Sequence, residues 1–530
     1  MKKRILSILI GMILSVSMVA CGADKNSVTT EQTQEEDIKP KFEIEGATYI
    51  ELADEQITVD GKKVSKNEEA AVYVANDIVY YEEGKDFTYG EGTKEDEHSK
   101  EEADKHTVVH ITEPGTYVVR GTLSAGQIAV DLGEDAKDDP EAVVTLALDN
   151  VDITCSVAPA VIFYNVYECG SSDEEDAVKD VDTSAAGANV LIPDGTENIV
   201  NGSYVARIYK SVELNEEGTE IIDSKKLHKY DAAFYSKMSM NINGGEENTG
   251  VLNIKAENEG LDSELHLTIN GGQINIVSGN DGINTNEDNV SVTTMNGGFL
   301  TIKVDGSTGE GDGIDSNGWL IINGGVVMAS ACATSMDAGI DSDKGIHING
   351  GTVLASGNML DHISESAQDY VVFTFQDKVK ADEKITLKKG EEEFFFTMGN
   401  DYSILVISND FVAEGGMYTL WKGEEQLSVI ESNDGGMMMP GGFGGGQMPN
   451  GFDPSQMPER MPEGFGGGQM PEGFEPGKMP EGFKGGQRPE GMGPGRGPGE
   501  NFGQVNMEDA VMEFELKDGG NMFIVVSNRI

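Results

Sequence analysis

Apolar and polar positions alternate in short runs through most of this chain, and from about residue 230 to 356 the runs come in pairs joined by a fixed corner. Ahead of the corners, every second position is apolar: Met240 and Ile242, Leu267 and Ile269, Leu320 and Ile322, Ile346 and Ile348. Behind them the alternation resumes, as in Ile274-Asn275-Ile276 and Leu300-Thr301-Ile302. Period-two patterning on both sides of a tight turn predicts two short strands meeting at a bend. The corner is Asn-Gly-Gly, beginning at Asn243, Asn270, Asn296, Asn323 and Asn349, with spacings of 27, 26, 27 and 26.

One such unit cannot bury its apolar face alone, so the units must stack. Stacking at strand spacing gives a rise of about 4.8 Å per unit. No helical segment interrupts the pattern, and a turn this long holds two or three strands. The expected fold is all-β: a right-handed parallel β-helix, a single-strand solenoid. The two glycines of each corner are expected to supply positive φ, and each Asn to hydrogen-bond to the Asn of the next turn.

A second element recurs once per turn, ahead of the corners: Glu259-Gly-Leu-Asp262, Asp281-Gly-Ile-Asn284, Asp312-Gly-Ile-Asp315 and Ala338-Gly-Ile-Asp341. Further acids crowd the later copies, at Glu310, Asp337 and Asp343. Stacked carboxylates about 5 Å apart repel by roughly 3 kcal/mol per pair at an effective dielectric of 20. Such a column must be spread into solvent or neutralised. Calcium takes carboxylate and carbonyl oxygens and would neutralise it; the plainer alternative is that each Asp caps a turn through backbone N–H groups. Neither an EF-hand loop nor a nine-residue calcium repeat is present.

The flanks are also β-patterned. Thr116–Leu123, Gln127–Asp131, Val143–Leu148, Val151–Thr154, Ala160–Tyr164 and Asn189–Ile192 read as earlier, less regular turns. The segment 42–105 is mixed and expected to form an N-terminal cap or irregular region, with the helix domain over 106–357. Tyr370–Phe375, Lys384–Leu387, Glu393–Phe396 and Ser403–Ile407 suggest an antiparallel β cap over 358–434, needed because an open end of stacked strands invites aggregation. Residues 435–504 repeat Met-Pro-Asn/Glu-Gly-Phe and are too rich in Gly and Pro to pack a core. Strand-like residues return over 505–530, so this tract is expected to be a disordered insertion in the cap.

The N-terminus bears on location. Lys2, Lys3 and Arg4 precede an apolar stretch that ends in Met18-Val19-Ala20-Cys21. Those residues resemble the lipobox of bacterial lipoprotein precursors, with Met18 where Leu is more usual. The resemblance implies removal of residues 1–20, lipidation of Cys21 and a flexible tether over 21–41. Two acyl chains hold a protein stably on a bilayer. The expected location is therefore extracellular, anchored to the outer face of the cell membrane and touching it only through that anchor. The formal charge of −55 becomes −58 when the three leader cations leave. Such a chain is repelled by nucleic acid and by anionic membranes. Cys155, Cys169 and Cys332 include no CxxC pair; Cys155 and Cys169 are either disulfide-bonded or free.

Together, Gly115–Asp152, Asn198-Ile-Val-Asn-Gly-Ser-Tyr204, Asp231-Ala-Ala-Phe-Tyr-Ser-Lys237 and the two repeated elements through Gly357 resemble the bacterial carbohydrate-binding β-helix family related in fold to family 9 polysaccharide lyases. The resemblance covers most of residues 106–530. It implies calcium and the binding of plant cell-wall polysaccharide, both acidic pectic chains and cellulose. Carried onto this chain, the calcium candidates are Asp262, Asp281, Asn284, Asp312, Asp315, Asp341 and Asp343. By alternation Trp319 and His266 point outward; with Lys303 and Lys344 they are the candidate carbohydrate contacts. Family 9 lyases use a Lys base beside calcium, which makes a calcium-dependent pectate lyase the rival reading. A surface adhesin is the third. The expectation is a monomeric, non-catalytic, calcium-dependent polysaccharide binder.

Overall fold

The computed structural model describes residues 42–364, 366–432 and 507–526, and the chain is all-β with its strands gathered into large mixed sheets. The leader, Cys21, the whole of the 21–41 tether and the 435–504 tract lie outside the described residues. Three ladders of parallel strands dominate, and one stretch of chain shows how they arise. His266–Ile269 joins the ladder that precedes the corners, Gln273–Ser278 the ladder that follows them, and Ile283–Thr285 a third. The next stretch repeats the sequence with Val292–Met295, Phe299–Val304 and Ile314–Ser316, each in parallel register with its predecessor.

The alternation reads the interior correctly. Met240, Ile242, Leu267, Ile269, Leu320, Ile322, Ile346 and Ile348 are all buried, as are Ile274, Ile276, Leu300 and Ile302 behind the corners. Leu261, Ile283, Ile314 and Ile340 supply the third wall of the same core. Upstream, Val144–Thr154 is one strand and not two; Asn150, at φ 60°, bends it between the first and second ladders.

The corner asparagines form a continuous chain of amides. Asn270 donates to Asn243, Asn296 to Asn270, Asn323 to Asn296 and Asn349 to Asn323, at 2.9–3.0 Å. The glycines divide the work differently from expectation. Gly272, Gly298, Gly325 and Gly351, the second glycine at four of the five corners, have φ between +79° and +90°, whereas Gly245 at the first corner does not adopt positive φ. The first glycine is needed for room: a Cβ on Gly297, Gly324 or Gly350 would lie 2.6–2.9 Å from the carbonyl oxygen of the Asn one turn earlier. Asn296→Ala removes one donated and one accepted amide bond at an exposed site. It should cost about 1–2 kcal/mol, read as a lower denaturant midpoint at unchanged slope, and Asn349→Ala about half as much.

Two excursions matter for the site. Val205–Leu214 and Ile221–Tyr230 pair as an antiparallel hairpin between turns of the ladders. Beyond the last turn, Tyr370–Val379, Ile385–Lys389, Glu392–Phe396, Tyr402–Ser408, Met417–Lys422 and Glu425–Glu431 build a second core around Phe373, Phe394, Tyr418, Phe514 and Phe523. That sheet is mixed: Tyr370–Phe375 runs parallel to Gly520–Val525, while the other pairings among these strands are antiparallel. All three described cysteines are free thiols, with Cys155 and Cys332 buried.

Candidate functional site

The third ladder carries the acids. Its register stacks Tyr235, Asp262, Asn284 and Asp315 on successive strands, and backbone bonds from Ile314 to Gly339 and from Asp341 to Ile314 extend the column to Asp341. A second column, made by the first residue of each motif, runs Glu259, Asp281, Asp312, Ala338. The glycine between them has no room for a side chain; a Cβ on Gly260, Gly282 or Gly313 would lie 2.3–2.6 Å from the next turn's glycine carbonyl. Thus one local motif forces two carboxylate positions per turn to line up at strand spacing.

The columns differ in chemistry. Asp281 accepts from the Asp312 N–H at 2.6 Å and Asp312 from the Ala338 N–H at 2.5 Å, so these two cap the following turn. Asp262 is fully buried and takes both oxygens' bonds from the Asn286 amide, at 2.8 and 2.9 Å. Glu259 lies beside it, bonded by Asn284 Nδ2 at 3.2 Å. Glu259 and Asp262 are within hydrogen-bonding reach of each other, so with both ionised Glu259 Oε2 has no partner; Asn284 Oδ1 has none either. Lys229, delivered by the hairpin, bonds Asp231 at 2.8 Å and is the cation that Glu259, Asp262 and Glu264 also feel. At the other end Asp341 and Asp361 share a similar contact, Asp315 is half-buried, and Asp343 is exposed.

Electrostatics follow from that crowding. Burial, with Asp231 beside it, pushes Glu259 up to about 7. Burial and then Asp361 push Asp341 to about 7, and burial and then Asp343 push Asp315 to about 6. Asp262, Asp281 and Asp312 lie well above the ordinary carboxylate range, again through burial first and neighbouring acids second. Burial opposes the charge on Lys229, but Asp231 and Glu259 outweigh it and hold the amine protonated. The donors are oxygens, two of them buried without partners, which suits a hard cation such as calcium. Among the described residues no three acids, histidines or cysteines are already gathered as a metal cage. A bound cation would have to draw together carboxylates that repel one another.

The other candidates scatter. His266 does not face solvent: it is buried against Gly170 and Leu265, accepts from the Val292 N–H at 3.1 Å, and burial lowers it to about 4. The 166–170 segment covers what alternation reads as an outward position, so His266 cannot touch sugar. Lys303 sits on the second ladder, its stem against Gly399, away from the acid columns. Lys344 places its ammonium 4.7 Å from the Trp319 ring centre; its neighbour is the indole and not Asp343. Lys229, Asp231, Glu264 and Asp361 were not among the sequence candidates. Their only signal was that they are polar residues close to a motif.

On the outer side of the first ladder lies a cleft of ≈ 370 Å³ between the 179–184 segment and Asn241, Thr268, Thr294, Asn270, Asn296 and Asn323. Thr183 Oγ1 bonds Asn241 at 2.8 Å and Thr268 at 2.7 Å, which ties that segment down. Most of the lining is uncharged amide and hydroxyl.

The molecule is thus an all-β protein of stacked parallel strands with an acid-lined face and a polar cleft. The chain belongs to the carbohydrate-binding domain-containing protein family, whose model matches residues 105–425. No curated protein matches it. A solved structure described as a polysaccharide lyase-like protein from C. thermocellum, in a gadolinium derivative, aligns with 61% of this chain and 92% of its own at 18% identity and a TM-score of 0.33. At that level the likeness carries neither fold nor activity across.

Proposed function

We propose that this chain is a lipid-anchored, non-catalytic polysaccharide-binding protein at the outer face of the cell membrane. Its three ladders are the faces of a right-handed parallel β-helix, and its acid columns hold calcium. The observation that carries the reading is the gradient along the third ladder. Glu259 and Asp262 are buried, whereas Asp315, Asp341 and Asp343 open toward solvent. An ion at the buried end holds the turns together. An ion at the open end keeps free coordination positions for the carboxylates of a pectic chain, bridging like charges that otherwise repel. Uncharged chains such as cellulose meet the amide-and-hydroxyl cleft. The lyase reading needs a neutral lysine beside the acids: Lys344 sits over the Trp319 ring, Lys303 lies against Gly399, and the acids around Lys229 keep that amine charged. Incubation with pectate should therefore release no ultraviolet-absorbing unsaturated product.

The test is retention on pectate gel and on insoluble cellulose, with and without chelator. Chelator should remove most pectate retention, by tenfold or more, and leave cellulose retention unchanged. The double variant Asp315→Asn/Asp341→Asn should lose the same calcium-dependent part. Calcium bridging is wrong if neither chelator nor that variant changes retention on pectate.

A further inference from the structure

The cap carries an aromatic strip that has no part in the acid columns. Across three adjacent antiparallel strands Phe395, Thr386 and Trp421 are in direct register, and Gln426 follows on the next strand. Their neighbours in sequence, Phe394, Phe396, Ile385, Leu387 and Leu420, point into the core, so this row lies on the opposite, outer face. The two rings flank the buried Thr386 in register and are two strand spacings apart, about 10 Å. That is roughly the span of a disaccharide. Trp421 Nε1 donates to Thr419 Oγ1 at 2.9 Å, which fixes the indole's orientation before any ligand arrives.

Each ring carries an ammonium group. Lys384 Nζ is 3.9 Å from the Phe395 ring centre, and Lys388 Nζ is 4.2 Å from that of Trp421. Lys388 is also 3.9 Å from Glu393, which leaves Lys384 as the net positive charge of the strip. In a protein of formal charge −55, two lysines parked over two aligned rings select the occupant. A neutral sugar stacking on either ring must displace a cation–π contact and returns only uncharged hydroxyl acceptors to the ammonium. A uronic acid stacks its C–H face on the ring while its carboxylate receives the displaced lysine.

We propose that the Phe395–Trp421 strip is a second polysaccharide subsite, selective for uronic-acid chains and independent of metal. The proposal rests on the polysaccharide-binding reading above and assigns it a surface that calcium does not control. Binding is shallow and salt-sensitive, because both ammonium groups remain near solvent. Chain bound here is held by ring stacking and direct ion pairs, whereas chain bound at the open end of the acid column is held through calcium.

The experiment is titration of the full chain with a short oligogalacturonate in excess chelator, which silences the calcium-dependent site, followed by tryptophan fluorescence. We expect a saturable change in emission that weakens as salt rises. Trp421→Phe should abolish the signal, and Lys384→Ala/Lys388→Ala should weaken binding about tenfold or more, with unchanged melting temperatures showing that the cap remains folded. A cello-oligosaccharide of equal length should give no change. No response to oligogalacturonate in chelator overturns the subsite, and an equal response to the uncharged oligosaccharide overturns its selectivity. Neither result bears on the calcium arm, whose own failure would appear as chelator-indifferent pectate retention in the Asp315→Asn/Asp341→Asn comparison.

Discussion

Stripped of divalent cations, the protein is expected to lose thermal stability as pH rises from 5 to 8, and millimolar calcium should restore it at the upper end. In an unfolded chain aspartate and glutamate titrate near 4. In the fold Glu259 and Asp341 titrate at about 7 and Asp315 at about 6. Between those values the folded state holds more protons than the unfolded one. Stability is therefore complete below the unfolded value and is lost as pH rises through the folded values. Glu259 is fully buried, and its shift from 4.5 to about 7 alone corresponds to roughly 3 kcal/mol. Asp315 and Asp341 are partly exposed and add less. Under the proposed calcium binding, the ion would compete with those protons, so its stabilisation should grow in the opposite sense, with rising pH. Melting temperatures measured at pH 5 and pH 8, with chelator and with calcium, separate the two effects. Glu259→Gln should flatten the calcium-free profile. A calcium-free protein more stable at pH 8 than at pH 5 would refute the account, as would indifference to chelator at pH 8.

The second large effect is at the corner. Gly298→Ala combines a φ of +80° with a Cβ placed 2.5 Å from the Gly272 carbonyl oxygen and 2.8 Å from the Gly271 carbonyl carbon. Both obstacles are backbone, held by the adjacent turn, so neither can swing aside. Left-handed geometry alone costs an alanine about 1–2 kcal/mol; with the clash the loss should exceed about 3 kcal/mol. Gly309→Ala provides the internal comparison. Its φ is +102°, yet nothing lies within 4 Å of the added carbon. It should show the conformational penalty without the clash. Chemical denaturation of the two variants checks this, and equal losses would mean that turn-to-turn packing at the corner contributes nothing.

Much of the scaffold was legible because its causes are local. Alternation decides which side chain of a strand faces inward, and the apolar positions it assigns to the interior from Met240 to Ile348 are all buried, although Asn241, His266, Thr268 and Ile321 on the opposite face are buried as well. A glycine pair that recurs at a fixed period marks a place where chains approach too closely for a Cβ, although only the folded arrangement decides that the two glycines meet different constraints. The Asn ladder was readable for the same reason: identical residues at one position per turn must stack. The acid columns were readable in part, since the Gly-Ile-Asp motif sets their register. Their environment was not. Asp281 and Asp312 became turn caps and Asp262 a buried carboxylate because of neighbours on other turns.

What lay beyond the sequence has one physical character. Lys229 reaches the acids on a hairpin whose direction no periodicity records, and Asp361 joins Asp341 from the segment after the last turn. Alternation made His266 outward, and the chain then laid Gly170 over it. Phe395 and Thr386 face each other across one hairpin, and Trp421 completes the row only through the antiparallel register of a strand well further along the chain. By itself the sequence determined the β patterning, the period, the inward face and the alignment of the motif's acids, all short-range consequences of sterics and apolar burial. Tertiary structure alone decided which excursion covers which face, and therefore which acids lose solvent and which lysine answers them. Desolvation and charge pairing depend on distance in space, which the order of residues along the chain does not specify.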